Sequence, residues 1–318
     1  MRVVQLLTLV LLLGLPSAGL AEDGIGRVKA LIEEPNLPRD IEPDLPPPEA
    51  SPAAPPPSSL FTDFRLSQTY LPKFGSNGFG TNDSEFAAQI ALPWTPFEKP
   101  LLLKGGFGVH VWDGPVRDTT DRDPALPGAV YDFYLDLGWK PRPAEWLFLD
   151  LGITPGLYSD LQTFTKEAFR LRGRALAIIA TSERFQFVAG ALYINRDAKK
   201  LIPAGGFIWS PNDHTKFQIV FPQPKIAKRI ASIGDTSCWM YAAGEFGGGT
   251  WAYERPDGAP NSIDYNDYRA ILGAELRRAD GWSLRGEIGY VWGRELIPLN
   301  GPTVTPSDSV MVRLALVF

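Results

Sequence analysis

The chain has 318 residues, a net charge of −5 and a mean hydropathy of −0.08. The mild negative charge argues against a nucleic-acid partner, and the single cysteine, Cys238, excludes an intramolecular disulfide. The 31 glycines, 18 Phe, 10 Tyr and 9 Trp fit a membrane β-barrel. The strands of such a barrel do not stand out in a plot of mean hydropathy, because only alternate residues face lipid.

Residues 1–21 have the features of a secretory signal peptide. Arg2 precedes an apolar run from Val3 to Leu15, and Gly19 and Ala21 form a small-x-small cleavage site. The run is shorter than the roughly 20 residues of a transmembrane helix. We therefore expect cleavage after residue 21 and export of the mature chain.

Residues 22–59 form a proline-rich segment that contains PNLPRDIEPDLPPPEASPAAPPP. Prolines at this density favour extended polyproline II structure and cannot build a core. A short helix is predicted over 24–34. The segment is interpreted as a periplasmic linker, or alternatively as a tether for a periplasmic partner.

From residue 60 to 318 the sequence alternates between apolar and polar residues, which predicts β-strands. Trp282, Leu284, Ile288 and Tyr290, for example, share one face of a predicted strand. The apolar faces would meet each other in a β-sandwich or would meet lipid in a barrel. Strands of about ten residues exceed the usual five or six of globular proteins. We therefore predict an all-β, antiparallel transmembrane β-barrel in outer-membrane lipid.

The predicted number of strands is twelve to fourteen. Thirteen segments alternate, whereas single-chain bacterial barrels have an even number of strands. Either a hairpin at Gly247–Gly249 divides the segment 237–254 and gives fourteen strands, or one terminal candidate is false and twelve remain. Long connections at 113–128, 158–168 and 297–307 are predicted outside the cell, and short ones in the periplasm.

The last strand of the sequence alternates strictly up to Phe318. Its apolar face comprises Val310, Val312, Leu314, Leu316 and Phe318. This ending resembles the C-terminal strand of bacterial outer-membrane proteins. The resemblance implies that the strand closes the barrel and that the outer-membrane assembly machinery binds it.

Four further stretches carry a family resemblance: IPAGGFIWSPND (202–213), FPQPKIAKR (221–229), GEFGGGTW (244–251) and DYNDYR (264–269). Together they resemble a family of uncharacterised bacterial proteins that are predicted outer-membrane β-barrels with a domain of unknown function. The resemblance implies the barrel and its location over residues 60–318. It implies no activity, substrate or catalytic residue.

Charged residues alternate with the apolar residues of several strands, which places them in the barrel lumen. The predicted lumen-facing network comprises Asp132, Asp136, Asp150, Arg170, Arg172, Arg174, Arg269, Glu275, Arg277, Arg285, Glu287 and Arg313. The acidic and basic stripes either form ion pairs that rigidify the wall, or set up a field across a water-filled constriction, as in porins.

The sequence predicts no enzyme, cofactor or metal site. Phospholipase-type barrels activate a serine with a histidine two residues before it, whereas His110 is followed by Trp112 and His214 by Lys216 at that spacing. Protease-type barrels use an Asp-x-His pair, whereas Asp213 and His214 are adjacent.

The predicted function is therefore a porin-like passive channel for small solutes. The alternatives are a non-conducting structural or binding barrel with a periplasmic tether, and a secreted β-sandwich binding protein.

Overall fold

The computed structural model describes residues 61–75, 77–92, 99–114 and 125–318. The predicted signal peptide and proline-rich linker, residues 1–59, lie outside this part of the chain. Among the described residues, no helix is long and apolar enough to cross a membrane.

Fourteen antiparallel strands form one closed barrel, in which each strand pairs with its neighbours in sequence and β1 pairs with β14. The strands are β1 Phe61–Leu71, β2 Gly80–Ala91, β3 Leu101–Asp113, β4 Ala129–Trp139, β5 Leu147–Ser159, β6 Phe169–Ser182, β7 Phe185–Tyr193, β8 Leu201–Asn212, β9 Thr215–Phe221, β10 Lys225–Ile233, β11 Thr236–Glu254, β12 Pro260–Arg278, β13 Ser283–Pro298 and β14 Ser309–Val317. The predicted antiparallel barrel is confirmed.

The strand missing from the thirteen predicted segments is β10. Its sequence, KIAKRIASI, follows Pro222 and Pro224 and carries three charges in nine residues, so its alternation is weak. The alternative hairpin at Gly247–Gly249 is wrong. Strand β11 continues through these glycines and pairs with β12 from Thr236 to Glu254.

The connections divide the barrel into two ends. The end that holds Phe61 and Phe318 has four short turns, at 183–184, 213–214, 234–235 and 279–282, besides the connections 92–100 and 140–146, and we term it the turn end. The opposite loop end carries five longer connections, at 72–79, 114–128, 160–168, 194–200 and 299–308, besides the short ones at 222–224 and 255–259. The three connections predicted to lie outside the cell all belong to the loop end.

The outward faces of the strands are apolar and exposed. In β13, Leu284 and Ile288 are exposed whereas Arg285 and Glu287 are buried. The same alternation in β6 exposes Phe169 and Leu171. A β-sandwich would bury these apolar faces, so that alternative is wrong. An apolar outer surface on a closed barrel fits a hydrocarbon surrounding.

The chain terminus closes the barrel as predicted. The main-chain N–H of Phe318 donates to the carbonyl oxygen of Phe64 at 2.9 Å, and the N–H of Phe64 donates back to Phe318 at 2.9 Å. The Phe318 ring packs on Trp282 with 4.8 Å between ring centroids. The apolar face from Val310 to Phe318 points outward.

We expect deletion of Phe318 to lower the amount of folded protein in the membrane several-fold, because the closing hydrogen bonds and the contact with Trp282 are lost together. The measurement is the heat-modifiable band of membrane fractions on a gel. Val310→Ala, on the same outward face at the other end of β14, is the matched control and should behave like wild type. Wild-type levels of the deletion variant would show that this residue is dispensable for closure.

Candidate functional site: the barrel interior

The inner wall of the barrel is lined with charged side chains. All twelve residues predicted for the lumen project inward and are buried or half-buried. Their placement follows from strand alternation, since each lies between residues of the exposed apolar face. The structure divides them into separate clusters.

The first cluster joins β4, β5 and β6 through Arg174. Its Nη1 donates to Asp136 Oδ1 and its Nε to Asp150 Oδ1, both at 2.8 Å. The Thr154 hydroxyl also donates to Asp136, at 2.5 Å. A Cβ on Gly152 would lie 2.4 Å from Arg174 Nη1, so glycine leaves the room that the guanidinium occupies.

The other two arginines of the predicted basic stripe have different partners. Arg170 Nη1 donates to Asp197 in the loop 194–200 at 3.0 Å and to the carbonyl oxygen of Asn195 at 2.8 Å. The guanidinium of Arg172 lies 3.7 Å from the ring centroid of Tyr158. Of the three arginines, Arg174 is the one that bridges Asp136 of β4 and Asp150 of β5.

The second cluster joins β11, β12, β13 and β14. Arg269 binds Asp267 at 2.7 Å and Glu245 at 2.8 Å. Arg313 binds Glu245 and Glu287, both at 2.9 Å. Glu245 thus bridges two arginines, and all five side chains are buried. Charge-assisted hydrogen bonds of this kind hold both partners in fixed orientations.

The third cluster lies nearer the turn end. Glu275 accepts from Arg277 at 2.8 Å and from Arg285 at 3.4 Å. Glu275 and Arg285 are cross-strand partners in the ladder between β12 and β13, which explains their contact.

At the loop end the sheet bends inward and crosses the interior. Pairing between β10 and β11 ends at Lys225 and Ala243. Beyond it, Ala252 pairs with Ser159 of β5, and the N–H of Asp160 donates to the carbonyl oxygen of Ala252 at 3.0 Å. We term residues 245–267, the outer halves of β11 and β12 with their turn, the closing hairpin.

Both faces of the closing hairpin are buried, which breaks the alternation seen elsewhere. One face joins an aromatic and aliphatic core inside the loop end. This core comprises Phe79, Trp112, Val130, Tyr158, Trp251, Tyr253, Ile263, Tyr265, Leu296 and Val304. Because these side chains contact one another directly, the loop end is packed like a protein core.

The opposite face of the closing hairpin is held by the loop 194–200. Arg196 donates to the carbonyl oxygens of Gly247 at 3.1 Å and Gly248 at 2.9 Å, and to Asn266 Oδ1 at 2.6 Å. The Asp264 carboxylate accepts from the main-chain N–H of Ala198 at 2.7 Å. The loop and the hairpin therefore fix each other.

A polar chain ties the hairpin to the opposite wall. His110 is fully buried, with Nδ1 3.0 Å from Asp83 and Nε2 3.2 Å from Asp132. Asp132 also accepts from Trp251 Nε1 at 2.5 Å. The residues in the described part of the chain include no group of three or more His, Cys, Asp or Glu arranged to hold a metal ion.

Sequence reasoning missed several residues of these clusters. The alternation of β11 and β12 could have placed Glu245 and Asp267 on the inner face. Asp83 lay outside the predicted strand, which began at residue 84. Asp197 lies in a loop, where no periodicity marks an inward position.

The described strands form a closed antiparallel ring of even number, with an apolar outer surface and a charged interior. The fold is a closed β-barrel of the outer-membrane type. No protein-family model matches the chain, and no curated protein sequence is significantly similar to it.

Solved structures that are similar to the chain at low identity include three bacterial proteins. A bacterial polysaccharide outer-membrane secretin has 9% identity and a TM-score of 0.41, with 80% of this chain and 97% of that chain covered. An outer-membrane channel from Pseudomonas putida F1 has 12% identity and a TM-score of 0.37, with 85% and 100% covered. A ferric enterobactin receptor from Pseudomonas aeruginosa has 9% identity and a TM-score of 0.28, with 81% and 58% covered.

Proposed function

We propose that this protein is an integral outer-membrane β-barrel that is closed at its loop end and acts as a non-conducting structural or binding barrel. The observation that carries the proposal is the closing hairpin. Its β11 segment leaves β10 and pairs with β5 across the interior, through Ala252 and Ser159.

The packing of the closing hairpin supports a stable closure. Trp251 lies 5.4 Å from Trp112 between ring centroids and donates a hydrogen bond to Asp132. Arg196 binds the other face of the hairpin. Removing the hairpin from the interior would expose the aromatic core and break these bonds, so it is held by both apolar burial and hydrogen bonding.

The pairing of the charged residues also favours a closed barrel over a porin-like channel. A porin filter presents separated charges to water. Here Arg174 binds both Asp136 and Asp150, and Arg313 binds both Glu245 and Glu287. Charges that neutralise each other leave a weaker field for selecting ions.

The same proposal covers catalysis, the surrounding lipid, membrane insertion and the proline-rich segment. The protein has no catalytic role, and outer-membrane lipid surrounds the apolar outer surface. The assembly machinery inserts the barrel, and residues 22–59 tether a periplasmic partner.

Planar-bilayer recordings test the closed barrel. We expect the refolded mature chain to give no steady conductance. Trp251→Ala should produce openings, because it removes both the contact with Trp112 and the hydrogen bond to Asp132. Trp292→Ala is the matched control, since Trp292 lies on the outer surface, and it should leave the barrel silent.

Steady wild-type conductance with the charge selectivity of a porin would contradict the proposal and favour the passive channel. In both outcomes, heat modifiability on a gel verifies that each variant has folded.

A further inference from the structure

Lys225 begins β10 on the inner wall, with its ammonium group enclosed. The residue is 4% exposed, and its Nζ has no hydrogen-bond partner among the described residues. The Nζ lies 3.9 Å from the ring centroid of Tyr241. A buried ammonium group is strongly unfavourable without a counter-charge, and a ring face compensates only part of that cost.

The carboxylates of the neighbouring wall are already engaged. Glu287 binds Arg313 at 2.9 Å and accepts from the Tyr241 hydroxyl at 2.5 Å. Glu275 binds Arg277 and Arg285. Both carboxylates lie close enough to attract the Lys225 ammonium electrostatically, but their hydrogen bonds go to the arginines and to Tyr241, and neither bonds to Nζ.

Two buried glutamines lie next to Lys225, one two residues earlier in the chain and one across the sheet. Gln223, two residues earlier, is 3% exposed, and neither its amide nitrogen nor its amide oxygen has a partner in the described structure. Gln218 lies opposite Lys225 in the ladder between β9 and β10 and is buried too. Buried polar groups are nearly always hydrogen-bonded, so the unpaired Lys225 and Gln223 groups, two residues apart in the chain, favour a polar ligand.

We propose that Lys225 and Gln223 form a binding site for a small carboxylate anion on the inner wall. The Lys225 ammonium neutralises the carboxylate, and the Gln223 amide nitrogen donates a second hydrogen bond. Because Lys225 and Gln223 are both buried, acetate, a small carboxylate, is the probe for this site. The site deepens the proposed function, since it gives a binding barrel a ligand class.

Calorimetric titration of sodium acetate into the refolded mature chain in detergent tests the site, with ionic strength held by a bulky sulfonate buffer. We expect one saturable site in the wild type. Lys225→Met should weaken binding at least tenfold, and Gln223→Leu at least threefold. Lys104→Met is the matched control because Lys104 also faces inward but lies 3.9 Å from the Asp63 carboxylate, and it should bind within twofold of wild type.

Absence of saturable binding in the wild type would overturn the site, as would binding by Lys225→Met within twofold of wild type. If Lys225→Met does not fold, the threefold criterion for Gln223→Leu decides. The titration tests the binding site, and the bilayer recording tests the closed barrel. A protein that neither conducts nor binds acetate would reject the site but would still fit a non-conducting structural barrel.

Discussion

Arg313→Met should destabilise the barrel by about 3–5 kcal/mol, the usual cost of breaking a buried ion pair from one side. Arg313 binds both Glu245 and Glu287, and all three side chains are buried. Methionine keeps much of the side-chain volume but leaves two carboxylates with fewer donors. The measurement is the urea unfolding midpoint of the refolded protein in lipid vesicles.

The matched control for this variant is Arg278→Met. Arg278 binds Asp280 at 3.0 Å, but both side chains are largely exposed at the turn end. Exposed ion pairs contribute roughly 0–1 kcal/mol, so this variant should unfold near the wild-type midpoint. Equal losses in the two variants would mean that water reaches the inner cluster, which is the condition of an open channel.

Gly248→Ala should destabilise the loop end by about 2–5 kcal/mol, as the sum of two effects. Gly248 has φ +93°, where a side chain costs about 1–2 kcal/mol. A Cβ at this position would also lie 1.9 Å from the carbonyl oxygen of Tyr265, and relieving such overpacking costs typically 1–3 kcal/mol. The same displacement would disturb the contacts of Arg196. The readouts are the unfolding midpoint and bilayer conductance, which should rise as the closing hairpin loosens.

Gly258→Ala separates the two effects. Gly258 has φ +78° in the connection between β11 and β12, and a Cβ there would meet no atom within 4 Å. Only backbone strain is added, so the loss should stay near 1–2 kcal/mol and the barrel should stay silent. A Gly248→Ala variant no less stable than Gly258→Ala would refute the tight packing of the hairpin.

Much of the fold could be predicted because alternation is a local property of the sequence. The pattern of β13 and β14 specified which residues face outward, and the closing role of the last strand followed from it. Strand β10 was missed because its charges and flanking prolines obscure the same pattern. The predicted hairpin at Gly247–Gly249 failed because glycines mark turns and bends alike. Only the pairing of β11 with β12 shows that the strand continues.

The sequence by itself determined which charged residues point inward, since a period of two residues assigns every side chain to one face of its strand. Which charges meet was decided only by the tertiary structure, through strand register and the space left by Gly152. The crossing of Ala252 to Ser159 is likewise absent from any local pattern. It joins two residues that are more than ninety positions apart in the chain, and it depends on the aromatic core and the Arg196 contacts that form when the barrel closes.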